Sequence, residues 1–117
     1  MSQHRFTTTL GDTEIVVSMG WDRPLQGFFM TIIKGSLEPP ISTNEDSGEE
    51  VYLFNNLEQT VSHPKELTAY LHELENRGIE IPEQMIAEVT RDGEYNVGNK
   101  LVEHGYIRGK YVREQTL

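Results

Sequence analysis

The sequence predicts an α+β fold, a mostly antiparallel four- to five-stranded sheet with two consecutive helices packed on one face. Three observations carry that expectation. The first third is built of β-branched and aromatic runs cut by Gly-containing turns. Two later stretches repeat apolar residues every three or four positions, the period of a helix with one buried stripe. A strand-prone run then returns near the C-terminus, giving the order βββ-loop-β-αα-β.

Arg5 to Leu10 and Glu14 to Met19 are β-prone runs split by Gly11-Asp12-Thr13, a hairpin signal. Gly20 to Gly27 reads as a loop, because Pro24 has no N–H to give to a ladder. Phe28 to Lys34 is a third strand, apolar enough for a central place with both faces covered. Residues 35–50 hold Pro39-Pro40, Gly48 and a cluster of acids with no periodicity, and read as a mobile acidic loop. Val51 to Phe54 gives a fourth strand. Pro64 favours a first helical position, and Leu67, Tyr70, Leu71 and Leu74 form the apolar stripe of the helix that follows. Gly78 supplies its left-handed stop, with Ile79 folding back over the last turn. Pro82 opens a second helix with the stripe Met85, Ile86 and Val89, and Gly93 ends it. After the turn Asn96-Val97-Gly98-Asn99, Lys100 to Glu103 forms a last strand. Residues 1–104 make one α+β domain, and 105–117 a tail or weak edge strand.

A chain of 117 residues suits one core. Its 36% hydrophobic content is modest, and 25% charged residues is ordinary for a folded domain. The absence of Cys removes disulfides, thiolate metal sites and cysteine nucleophiles, and fits a reducing compartment. No run approaches the roughly 18 apolar residues of a membrane span, and the first residues lack the apolar stretch of a secretory signal. A cytoplasmic protein with no membrane association is expected. The net charge of −9 is uneven: residues 38–94 carry fourteen acids against three bases, net −11. That field repels phosphate backbones, so direct nucleic-acid binding is disfavoured, and it attracts a basic protein partner. It also simply keeps a protein soluble.

The most informative stretch is Gly20-Trp21-Asp22-Arg23-Pro24, which holds the only Trp beside two opposite charges. It has two readings. As a recognition surface, Trp21 stacks on a partner while Asp22 orients Arg23 to grip a carboxylate. As a clasp, Asp22 caps the turn, Arg23 pairs with it and Trp21 closes the sheet edge. The four histidines, His4, His63, His72 and His104, show no helical metal-binding spacing, so a metal site requires distant acids to converge. Glu73 and Glu75 diverge on their helix, and no phosphate loop, nucleophile elbow or zinc-protease pattern occurs. The sequence therefore assigns no catalytic residue, no metal ligand and no cofactor. Phe28 and Phe29 point to opposite sheet faces. A partner or a second copy in a homodimer can cover the side without helices.

Three pieces taken together, Gly20-Trp21-Asp22-Arg23-Pro24-Leu25-Gln26 before Phe28-Phe29, Ile79-Glu80-Ile81-Pro82 before Met85, and Asn96-Val97-Gly98-Asn99, resemble a set of short uncharacterised bacterial proteins without an assigned activity. The resemblance covers about residues 14–103 and carries over no catalytic residue.

The reading that follows is a small acidic non-catalytic protein-binding module. Its contact candidates are Trp21, Asp22 and Arg23, with Glu45, Asp46, Glu49 and Glu50 steering a basic partner. One alternative is an acidic nucleic-acid mimic that inhibits a nucleic-acid-binding protein. The other is a small-ligand-binding protein or enzyme with an unlabelled site.

Overall fold

The structure, a computed structural model, describes residues 1–35 and 51–116. It is an α+β fold with six strands, one more than the upper expectation. In chain order they are β1 (Ser2–Leu10), β2 (Thr13–Asp22), β3 (Gly27–Lys34), β4 (Val51–Asn55), β5 (Lys100–Ile107) and β6 (Lys110–Thr116). Between β4 and β5 lie two helices, α1 (Thr68–Asn76) and α2 (Glu83–Glu94). The strand order is β4-β3-β2-β1-β5-β6, and only the β1–β5 pair is parallel. No helix among the described residues is long and apolar enough to cross a membrane.

The sixth strand arises from a turn whose sequence hides it. Ile107 pairs with Lys110, so Arg108-Gly109 is a two-residue hairpin loop, with φ of 54° and 79°. Such a loop requires positive φ at both positions, which Asn-Gly advertises and Arg-Gly does not. β5 continues to Ile107, and of the two expectations for residues 105–117, a tail or a weak edge strand, Lys110–Thr116 forms the edge strand β6. Two other boundaries differ from expectation. β2 continues through Gly20, Trp21 and Asp22, with Trp21 opposite Phe28, so the turn shrinks to residues 23–26 around Pro24. α1 begins at Thr68 rather than at Pro64. The Pro64 carbonyl accepts the Phe28 N–H at 2.8 Å, which holds this segment beside β3 instead of in a helix. Gly27 permits that approach, since a Cβ there would lie 2.3 Å from the His63 carbonyl oxygen.

Gly78 stops α1 as expected, at φ +73°, and Ile79 donates its N–H back to the Leu74 carbonyl at 2.9 Å. Gly93 has a different role from the one expected. α2 runs past it to Glu94, and a Cβ there would sit 2.6 Å from the Phe28 ring and 3.2 Å from Trp21. Gly93 lets the helix press onto the sheet, and Asn96 (φ 50°) takes the left-handed turn.

The core lies between helices and sheet. It joins Phe6 of β1, Ile15, Val17, Met19 and Trp21 of β2, and Phe28, Met30 and Ile32 of β3 to Tyr70, Leu74, Ile79, Met85 and Val89. Phe28 faces the helices, and alternation turns Phe29 to the other side, where its ring lies over Gly20. A Cβ on Gly20 would fall 2.0 Å from the Ser2 carbonyl oxygen and 2.9 Å from that ring. Gly20→Ala is therefore expected to destabilise the domain by about 3 kcal/mol, the upper range of overpacking, with Gly105→Ala, whose Cβ would meet nothing nearer than 4.0 Å, as a control. Equal unfolding midpoints for wild type and Gly20→Ala in urea would contradict this packing.

Candidate functional site

The Trp21 loop is a packed clasp on one side and an open turn on the other. Trp21 is only 6% exposed and stands edge-on to Phe28, with ring centroids 4.9 Å apart. Its indole Nε1–H donates to Asn96 Oδ1 at 2.9 Å, and Gln26 Nε2 donates to the same oxygen at 2.8 Å. Asp22 Oδ1 accepts the Leu25 N–H at 3.2 Å, which caps the turn, and its other oxygen lies 3.5 Å from His63 Nε2. Arg23 is exposed, and among the described residues it forms no ion pair with Asp22. Glu45, Asp46, Glu49 and Glu50 lie outside the described residues.

The second constellation comes from topology alone. The parallel β1–β5 register sets His4 opposite Val102 and Phe6 opposite His104, on the helix-facing side of the sheet. Two histidines 100 positions apart thus become diagonal neighbours. His4 Nδ1 is 2.8 Å from His104 Nε2. His4 Nε2 lies 2.6 Å from Asp92 Oδ2 on α2, and His104 Nδ1 is 2.5 Å from the Tyr111 hydroxyl on β6. With both rings neutral, one assignment satisfies every group. His4 Nε2–H donates to the Asp92 carboxylate, His104 Nε2–H donates to His4 Nδ1, and the Tyr111 hydroxyl donates to His104 Nδ1. The chain runs Tyr111-His104-His4-Asp92.

Ion pairs extend this line at the Asp92 end. Lys100 Nζ reaches Asp92 Oδ1 at 2.7 Å and Glu88 Oε2 at 3.0 Å. Arg113 grips Glu88 through Nε at 2.7 Å and through a second nitrogen at 2.5 Å. Ser2 adds a hydrogen bond to Asp92, and its oxygen accepts the Trp21 N–H at 3.1 Å. The relay and the clasp are therefore one connected network. Burial pulls the Asp92 carboxyl upward, but the bonds from His4, Lys100 and Ser2 outweigh it, and Asp92 lies below its usual value. The Arg113 guanidinium holds Glu88 down to about 2, with Lys100 adding to it. Burial presses His104 down to about 4. Burial opposes the charge on Lys100, and its two carboxylate partners raise it nonetheless.

His4, His104 and Glu88 bring three donor atoms within 4.8 Å of one another, the convergence that sequence spacing did not reveal. An ion placed there would have to break the His4–His104 hydrogen bond and share Glu88 with Lys100 and Arg113. The two carboxylates and two cations already cancel, so a dication enters a site whose charge is balanced. The His4–Asp92 end of the relay is closed to solvent, at 0% and 2% exposed, and the Tyr111 end on β6 is half-buried.

Two hollows open elsewhere on the surface. One of ≈ 390 Å³ is lined by Trp21, Phe28, Lys65 and Glu94 among others. A larger groove of ≈ 1200 Å³ runs beside the α1–α2 connection and the end of β1. Its floor is Leu71, Leu74, Ile79, Ile81 and Ile86, and Glu75, Glu80 and Glu83 stand around it. Neither hollow is lined by His4, Asp92 or His104.

Set against protein families, curated proteins and solved structures, the chain matches none.

Two outcomes are expected from this geometry. Trp21→Ala should lose about 3–5 kcal/mol, the cost of emptying a buried aromatic position, whereas Arg23→Ala should leave the melting temperature unchanged. Thermal unfolding of both variants decides it, and equal losses would make the exposed guanidinium part of the clasp. The second concerns pH. The folded-state values of His104 and Glu88 are both depressed, so the unfolded chain takes up protons first and acid destabilises the fold. His104 gives a loss between pH 6.5 and about 4, and Glu88 a further loss between 4.5 and about 2. Urea unfolding at stepped pH should show both limbs, and His104→Phe should flatten the upper one. Constant wild-type stability from pH 7 to 4.5 would refute the depression of His104.

Proposed function

We propose that this protein is a non-catalytic binding module that takes a basic, amphipathic segment of another protein into the groove beside the α1–α2 connection. The observation that carries the reading is the pairing of chemistries in that groove. Its floor is apolar and partly open at Leu71, Ile81 and Ile86, while Glu75, Glu80 and Glu83 are exposed around it. No Lys or Arg among the described residues lines it. An amphipathic helix laid in such a groove buries its apolar face and sets Lys or Arg against the carboxylates. The net charge of −9 steers the encounter from a distance. The relay supports the non-catalytic half of the reading, because His4, Asp92 and His104 line neither of the two hollows described above.

A nucleic-acid mimic suits this groove less well. Mimicry needs carboxylates in unbroken rows, and here Leu74, Ile79 and Ile81 come between Glu75, Glu80 and Glu83. Trp21, Asp22, Arg23 and the acidic residues 45–50 stay in the proposal as secondary contacts, with the exposed Arg23 guanidinium as the accessible group and Trp21 and Asp22 holding the turn that presents it.

The test uses a fluorescent Lys/Leu peptide of helical spacing, followed by anisotropy. Ile81→Asp and the pair Glu80→Lys, Glu83→Lys should each weaken binding at least about tenfold, as the loss of one good contact does. Leu57→Asp, at an exposed position away from the groove, should not. Raising salt to about 0.5 M should weaken the wild-type complex through screening. Equal affinity for the wild type and the groove variants would remove the groove from the function.

A further inference from the structure

We infer that the free edge of β6 is a self-association surface, through which two copies join their sheets antiparallel into one continuous twelve-stranded sheet. β6 is the outermost strand, seven residues long with an unbroken ladder to β5, and no described strand pairs with its far side. The opposite edge is a poorer template, since β4 has five residues and its ladder to β3 shifts register between Ile32 and Ile33. Hairpin geometry fixes which groups β6 offers. In a two-residue hairpin the flanking pair, Ile107 and Lys110, exchanges both main-chain hydrogen bonds, and such pairs recur at every second position. Lys110, Val112 and Glu114 therefore turn their main-chain groups toward β5. Tyr111, Arg113 and Gln115 turn theirs outward, unused.

Side chains select one register. Placing Val112 opposite the partner's Val112 sets Tyr111 against the partner's Arg113, the outward-turned residues that can exchange main-chain bonds. The same register puts Lys110 opposite the partner's Glu114, twice across the two-fold axis. Shifting by one pair either way sets Lys110 against the partner's Val112 or Thr116 instead and forfeits both ion pairs. Charged residues on an edge strand ordinarily deter association, but this set is complementary to its own copy. It also answers a local conflict. Glu103 and Glu114 face each other directly across β5 and β6, an unfavourable pairing, and among the described residues neither forms an ion pair. The partner's Lys110 arrives beside them. Val112, 38% exposed and seated over Gly105, gains cover from its twin.

Sedimentation velocity tests this on the full chain. The wild type should pass from monomer to dimer as concentration rises to about 1 mM, the weak end of specific association. Lys110→Glu alone and Glu114→Lys alone should each be monomeric, because each sets like charges together at both ends. Mixed one to one, the two variants should form a heterodimer, and the double variant should dimerise with itself. Both positions are exposed, so circular dichroism should show native folds throughout. A monomeric wild type at the highest concentration, or single variants that dimerise like the wild type, would overturn the inference. Peptide binding in the groove is read separately, so either proposal can fail without the other.

Discussion

The buried carboxylate of Asp92 is the constraint around which this fold is organised. A charge taken out of water is costly unless donors surround it, and Asp92 recruits three of them from two strands. His4 comes from β1, Lys100 from the start of β5 and Ser2 from the first residue of β1, while Asp92 itself sits in the last turns of α2. Satisfying that one group fixes where the crossover from α2 must land. It can only descend next to β1, so β5 runs parallel to β1 in a sheet that is otherwise antiparallel. Through the Ser2 hydroxyl the same knot reaches the Trp21 N–H, and through Trp21 it reaches Asn96 at the end of the same helix. The hydrophobic core supplies most of the favourable free energy, and it is non-directional. The polar knot adds directed contacts.

How much of this could be read from the chain depended on whether the signal was local. The helices announced themselves by period, by Pro82 at the entrance to α2 and by Gly78 at the exit of α1, since those constraints act within one turn. β1 to β4 announced themselves by β-branched runs. β6 was legible only as one of two alternatives, because an Arg occupies the first left-handed turn position, where Asn normally gives the hairpin away. Trp21 was legible as important and ambiguous in role, and its burial against Phe28 and Gly93 depends on how closely α2 approaches the sheet. The His4–His104 pair lay furthest from reach. Its geometry comes from a parallel register between strands a hundred residues apart. The one clue in the sequence was alternation: Ser2, His4 and Phe6 share a strand face, as do Val102 and His104, so polar groups were already being sent toward the core.

A buried relay of this kind is easily mistaken for catalytic machinery. The Tyr111-His104-His4-Asp92 line has the pairing of histidine with an orienting carboxylate that general bases use. Here that pairing is turned inward: His4 and Asp92 are buried between sheet and helix, and only Tyr111 at the far end is half-buried. The donors and acceptors are consumed within the network, and the cations neutralise the carboxylates in place. Such a network specifies one packing of α2 on the sheet at some expense in desolvation, and it makes that packing sensitive to acid. The surface, by contrast, is left with unspent features: an apolar groove with acidic borders and a strand edge with unmet main-chain groups.

These two surfaces are geometrically compatible. Pairing β6 edges antiparallel places the two-fold axis perpendicular to the sheet, so that Tyr111 and the partner's Arg113 lie on the same face. That face is the one bearing α1 and α2 in each copy. Both grooves of the paired sheet then open on one side, separated by the width of the strands between them. A ligand carrying two basic segments on a linker long enough to span that width would bind the second at an effective concentration set by the linker, in the millimolar range for short flexible chains. Weak single-groove binding is no obstacle to function in that arrangement. It favours partners that present their basic segments in pairs over the many isolated basic peptides that a charge of −9 would otherwise attract.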